Sequence, residues 1–573
     1  MIHFHPNKIK HSGFFFAIFL ILLAVNLVGS IWHARLDLTD ENRYTLSEGT
    51  KTMLRKLESP VEITIYLKGD FPSGFKNLSK GTDDLLREFR EVAGNKIRYR
   101  FVSSNEPSLQ SEITIGDSLT QAGLIPINLT AQVKQGQQQQ LVYPYARVSV
   151  DTLSVPVELY KGKTPIASFS ELNDAETQLE FQLANAIFRV THVQRPPIAY
   201  AIGNGEPMDY QVYDMVEKTI NPNYSLSLVN LQTQPFIDPG FKALLIVKPS
   251  APFSDFEKLK IDQYVMNGGK VLFFVDVLEA EMDSLQIKNQ VLAYDRNLNL
   301  NDMLFKYGTR VNSNLLMDLQ CDYLPFDISG NGQFEFLPWN YFPVLESPEN
   351  HPINKNLGFV SGKFVNTIDT VSAEGITKTV LLRSSINAKI LPSPSLISGS
   401  ENSTAPEDEK FRAQHQPVAV LLEGKFNSVF KNRLSASFSD SLSSINMPFT
   451  PACIKPNAML VVSDGDMVLN AVVKGNEPLP MGMNPFTYGS QREFPFANRD
   501  FLINALDYMV NENGLSSAKN KNFKLYLLDT KKLKQDDLYW QCLNLFFPVV
   551  AIGLISILFY WLRKRKYSRK HNS

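Results

Sequence analysis

The sequence predicts an α/β protein in which two terminal transmembrane helices flank a small α/β domain and a second, interrupted domain built on a parallel sheet. Three observations lead there. Long uncharged apolar runs stand near both ends of the chain, at residues 13–32 and 543–562. Between them, short β-branched runs alternate with segments of helical periodicity, the pattern of βαβ units. With 44% hydrophobic and 11% aromatic residues, and 57 basic against 58 acidic side chains, the chain can bury cores and has no global charge to attract a polyanion. Nucleic acid is therefore not an expected partner.

The first run, "GFFFAIFLILLAVNLVGSIW", is broken only by Asn26 and Ser30. As a helix it extends about 30 Å, the thickness of a bilayer's hydrocarbon. A signal peptide would have a shorter apolar region and a small-residue cleavage site, which "GSIWHARL" does not supply, so the run reads as an uncleaved anchor. The second run ends on Tyr560 and Trp561, where interfacial aromatics belong. Lys8 and Lys10 precede the first span; Arg563, Lys564, Arg565, Lys566, Arg569 and Lys570 follow the second. The positive-inside rule then places both termini in the cytoplasm. The expected layout is a tail (1–12), a span (13–32), two extracytoplasmic domains (34–194 and 195–515), a juxtamembrane linker (516–542), a span (543–562) and a basic cytoplasmic tail (563–573).

In the first domain, "SPVEITIYL" (59–67) reads as a strand. "TDDLLREFREVAGNK" then places Leu85, Phe89 and Val92 on one helical face and stops at Gly94, and "KIRYRFV" (96–102) is a strand again. That is a βαβ unit. A hairpin follows, "INLTAQV" turning at "KQGQ" into "QQQLVYPYARVSV" (138–150) as one strand. The helix "LNDAETQLEFQLANAIFRV" closes the domain, with Asn173 and Glu176 at capping-box spacing. The order suits a thioredoxin-like layout.

The second domain begins with a short apolar strand, Ile198 to Ile202, that meets a glycine loop. A helix bearing Val212, Met215, Val216 and Ile220 on one face comes next, then the strands "SLSLVNL" and "ALLIV". Ser254 and Glu257 cap a further helix, "NGG" (267–269) ends it, and "KVLFFVDV" is a buried strand. Continuous apolar strands alternating with helices argue for a parallel sheet covered on both faces. "MLVVSDGD" (459–466) adds a strand, and a last helix carries Phe501, Leu502, Ala505, Leu506 and Met509. The intervening residues, about 280–455, read as a less regular insertion containing an exposed disordered loop at 391–410.

The chemistry-bearing motifs weaken in context. "KGKTP" (161–165) ends like a P-loop, but Val157 stands where the first glycine belongs. "SGFK" (73–76) has Ser-x-x-Lys spacing without a companion motif. "GNGEPM" supplies two glycines of a dinucleotide fingerprint, with Met208 in the third position, and an ordinary turn is the simpler reading. "SDGD" leaves a parallel strand where open α/β sheets bind ligands; Asp464 and Asp466 either hold a cation or form an Asx turn, and Asp276 carries the same two readings. The candidate ligand contacts are thus Gly203, Asn204, Gly205, Glu206, Asp276, Asp464 and Asp466. No catalytic residue, metal or cofactor is expected. Three cysteines, Cys321, Cys453 and Cys542, leave room for one bridge between the first two and make no disulfide framework.

"RLDLTDENRYTLSEGTKTMLRKLESPVEITIYL" (35–67), "AIGNGEP", "DQYVMNGGKVLFFVDV" and "PVAVLLEGKFNSVFKNR" (417–433) resemble the auxiliary, substrate-binding components of bacterial ABC transporter systems linked to gliding motility. The resemblance covers nearly the whole length. It implies a two-pass protein of the inner membrane that works with a separate ABC ATP-binding subunit and a separate permease, alongside other gliding or envelope proteins. It also implies a central sheet similar to class I glutamine amidotransferase domains, whose nucleophile has no match here. Two further classes stay open, an envelope or motility scaffold without a small-molecule ligand and an unrecognised hydrolase.

Overall fold

A computed structural model of the chain describes residues 45–510, except 108–112, 123, 125, 134–135, 161–168, 193–194, 328–330, 349–350, 356, 400–407, 434–447 and 474–475, together with 537–568 and the isolated positions 19–21, 23 and 518. The chain divides into two units, residues 1–521 and 522–573. The first predicted span and the "KGKTP" motif lie outside the described residues, apart from four helical positions of the span.

The first unit opens with helix α1 (Glu48–Arg55), capped by the Ser47 hydroxyl, and strand β1 (Val61–Ile65). Helix α2 (Ser73–Ala93) connects β1 to β2 (Ile97–Phe101), which pairs with β1 in parallel as the βαβ reading requires. The helix starts nine residues before Thr82, because Phe75 and Leu78 continue the buried face of Leu86 and Phe89. "SGFK" is therefore its first turn, and the Lys76 ammonium sits 2.5 Å from Asp70.

The expected long strand at 138–150 is two strands. Residues 136–142 pair with 127–133 in the predicted hairpin, the chain breaks at Tyr143–Pro144, and β3 (Tyr145–Val150) joins β1 instead. Pro144 has no N–H to continue a ladder. A further strand, β4 (Leu153–Glu158), completes a mixed sheet of order β2-β1-β3-β4. Helix α3 (Phe169–Thr191) covers it and begins four residues before Asn173, so the predicted capping pair lies inside the helix. Leu179, Leu183, Ile187 and Val190 are buried against β1 and α2.

The second sheet has seven strands. Its parallel part comprises β5 (Pro197–Ile202), β6 (Ser225–Asn230), β7 (Ala243–Val247), β8 (Lys270–Phe274) and β11 (Asn457–Val462). The spatial order is β9-β10-β11-β8-β7-β5-β6, where β9 is Ile376–Arg383 and β10 is Pro417–Gly424. β7 is buried at every position, and β8 at all but its first. One face packs Tyr200, Leu245, Leu272 and Leu460 against helix α6 (Asn498–Val510); the other packs Leu244, Ile246, Phe273 and Val461 against helix α4 (Asp255–Met266) and the short helix α5 (Asn301–Tyr307). Alternate residues thus serve opposite faces, as strand geometry demands.

The insertion is more ordered than its composition predicts. β9 and β10 arise within it and extend the sheet antiparallel. The first part of the expected loop at 391–410 contains strand: residues 388–392 pair with 314–318, and 395–398 with 290–293, while 400–407 lie outside the described residues. Prolines and serines there mimic a linker, yet Ile397 is 1% exposed and packs with Trp339, Tyr341 and Phe364 in a core of the insertion's own. Its hydrogen-bond partners are about a hundred residues away in sequence, beyond the reach of a local pattern.

The second unit contains helix α7 (Asp537–Ser568), which includes the predicted span and Pro548. Residues 540–565 are long and apolar enough to cross a bilayer, and none of that stretch is buried. Leu545 and Phe547 are each 69% exposed, an arrangement that fits a membrane anchor.

Candidate functional site

Parallel strands end together, so the sheet gathers at one edge the residues that follow β5, β7, β8 and β11. After β7 the chain turns at Lys248, a non-glycine residue at φ 45°. Its ammonium lies 2.8 Å from both oxygens of Asp466, 2.9 Å from Glu281 Oε2 and 3.7 Å from Asp276 Oδ2. Arg296 donates to the other oxygen of Glu281 at 2.6 Å. Asp276 Oδ1 accepts from the Gly465 N–H at 2.5 Å, while Asp464 accepts from the N–H groups of Lys363 and Met467. Gly465 permits this closeness, since a Cβ there would stand 2.7 Å from Lys248 Cβ.

The three predicted aspartates therefore meet, around a cation that sequence reasoning missed. Burial, opposed by Lys248, pushes the Asp276 carboxyl up to about 7; burial and the neighbouring aspartates raise the Asp464 carboxyl well above the usual carboxylate range. Asp466 goes the other way, because Lys248 and Lys363 outweigh its burial and keep it ionised. Burial would lower the Lys248 ammonium, but Asp466, Asp276 and Glu281 overcome it and raise its pKa. The lysine occupies the centre that a divalent cation would need. Among the described residues, no group of three or more His, Cys, Asp or Glu side chains is disposed to hold a metal.

The glycine loop forms a second cluster. Gly203 and Gly205 take positive φ, and a Cβ on Gly205 would meet Ser250 Oγ at 2.0 Å. Glu206 Oε2 accepts from the Asn204 N–H at 2.8 Å, filling from within the turn a donor that a phosphate would use. Asn204 is fully buried; its carbonyl accepts from Ser250 and Ala251, and its amide reaches Pro252 O and Glu257. Burial raises the Glu206 carboxyl. The loop after β7, residues 248–254, lies between the clusters, and among the described residues no hydrogen bond joins them directly. Lys248, Glu281 and Arg296 had one readable signal: a lysine directly after the apolar run "ALLIV" stands at the same edge as Asp276.

The cysteines are free. Cys321 donates weakly to Asn340 Oδ1 and Cys453 to Val265 O, so the bridge left open by the sequence does not form. Burial pushes the Cys321 thiol up to about 12.

Comparison with known proteins follows the same division of the chain. Residues 195–505, more than half of it, match the family described as an ABC-type uncharacterized transport system. Residues 40–149 match a domain of unknown function. No curated protein matches. Among solved structures, the mmIFT52 N-terminal domain is similar at 11% identity and a TM-score of 0.29, covering 55% of this chain and 96% of that one. The exo-beta-1,4-mannosidase Op5Man5 from Opitutaceae bacterium strain TAV5 is similar at 8% identity and a TM-score of 0.17, covering 74% and 51%. At these scores neither likeness bears on fold or activity.

Proposed function

The chain belongs to the ABC-type transport system auxiliary family, and from that premise we propose that it is the non-catalytic, membrane-anchored extracytoplasmic component of an ABC transporter associated with gliding motility. Its partners are an ATP-binding subunit and a permease, with other envelope or gliding proteins. Two spans hold it in the inner membrane with both termini cytoplasmic, and its central sheet follows the plan of class I glutamine amidotransferase domains.

One observation carries the non-catalytic reading: Lys248 closes the aspartate cluster at the edge where open α/β sheets do their chemistry. Asp276 and Asp464 serve their own loop N–H groups, and Glu206 staples its turn. The edge is an internally satisfied surface, with Asp466 and Glu281 its more open members, and it serves to be contacted by a ligand or partner. In this reading Gly203, Asn204, Gly205, Glu206, Asp276, Asp464 and Asp466 hold that surface in shape.

The test is a mild-detergent pull-down of the tagged full chain from its native membrane. Recovery of a P-loop ATPase and a multi-span permease is expected. Envelope proteins without an ATPase would sink the transporter reading in favour of a scaffold, and turnover of an ester or amide panel, lost with one substitution, would sink the non-catalytic one.

A further inference from the structure

A polar groove of about 960 Å³ lies away from the sheet edge, between helix α5, the strand Thr309–Val311 and residues 427–433. Its volume is that of a ligand site. Two of its walls are tied together from behind by one buried carboxylate: Asp262 accepts from Tyr307 OH at 2.7 Å, from Ser428 Oγ at 2.7 Å and from the Val429 N–H at 2.8 Å. The groove is thus built on a fixed frame.

Its lining sorts into committed and uncommitted groups. Asp302 is neutralised by buried Lys258 at 3.1 Å and by Arg433 at 3.3 Å, and Arg310 is paired with Asp369 at 2.6 Å. Lys306 and Lys431 line the groove with no ion pair among the described residues, against a single uncommitted carboxylate, Glu374. The side-chain amides of Asn301, Asn427 and Asn432 have no hydrogen-bond partner among the described residues. An amide offers a donor and an acceptor side by side, which matches a sugar hydroxyl that is both at once. Phe305, 51% exposed on the same wall, supplies a flat apolar face for the C–H side of a pyranose ring.

We propose that this groove binds an acidic oligosaccharide, with Lys306 and Lys431 on its carboxylate, sulfate or phosphate group, the three asparagines on its hydroxyls and Phe305 beneath a ring. The assignment does not rest on the transporter reading, and a pull-down lacking the ATPase leaves it untouched.

The experiment uses the full-length protein in mild detergent on an array of uronate, sulfated and phosphorylated oligosaccharides printed beside neutral counterparts. Capture of acidic members over neutral ones is expected, and the strongest is then titrated. The double variant Lys306→Ala/Lys431→Ala, both positions exposed, should weaken it by about tenfold or more. Phe305→Ala should weaken acidic and neutral sugars alike. Failure to capture any acidic member, or affinities unchanged in both variants, overturns the site. Inorganic phosphate competing as tightly as the oligosaccharide overturns the carbohydrate assignment.

Discussion

At the scale of the residue, Lys248 decides the character of the sheet edge. Its side chain is 12% exposed and has three carboxylates within 4 Å, so replacing it strands buried charge. Lys248→Met is expected to destabilise the fold by roughly 3–5 kcal/mol, measured by urea denaturation of the first unit's tryptophan signal. Asp276 gives a pH dependence. Its folded pKa, raised to about 7 by burial, lies above the ordinary 3.8. Its contribution to stability is therefore complete below the lower value and lost as pH rises through the upper one. Asp466, held low, acts in reverse and loses its contribution only on strong acidification. Asp276→Asn should accordingly gain on the parent in urea midpoint as pH rises from about 4 to 7. A constant difference across that range would mean that Asp276 does not titrate there.

At the scale of the element, the most legible features were those whose signal is local. The capping box of α4 is present with both of its bonds, Ser254 Oγ accepting from Glu257 N–H and Glu257 accepting from Ser254 N–H. Ser254→Ala should cost about 1 kcal/mol, read from the same denaturation curves. Every parallel strand of the second sheet was readable: β5, β7, β8 and β11 because burial on both faces writes a continuous apolar run, and the edge strand β6, largely exposed, by its alternation. What escaped depends on distant partners. β9 becomes a strand because β10 lies beside it, and residues 395–398 because 290–293 do. Asp276, Asp464 and Asp466 could be placed at one edge from their position after strands, but Glu281 and Arg296 enter the cluster through the insertion's path, which no periodicity encodes.

At the scale of the whole molecule, composition and apolar runs were enough to divide the chain into a large folded part and an apolar C-terminal helix. A basic block follows Trp561, and the Arg565 guanidinium lies 3.8 Å over the Trp561 ring. If the positive-inside reading holds, a green fluorescent protein fused after Ser573 should fluoresce and an alkaline phosphatase in the same place should stay inactive. Active phosphatase would reverse the orientation and put the basic tail outside.

The sheet order has a temporal side. β8 and β11 are neighbours at its centre, yet β8 ends at Phe274 and β11 begins at Asn457. β9 and β10 reach the sheet only through β11, so a chain emerging from its N-terminus must hold the half-sheet β8-β7-β5-β6 open along one edge while the whole insertion is made. Such long-range closure is slow and leaves an unpaired apolar strand exposed meanwhile. The insertion, with a core of its own, has time to fold first. Asp466 is made 218 residues after Lys248, so during synthesis the ion cluster can close only once β11 has been made.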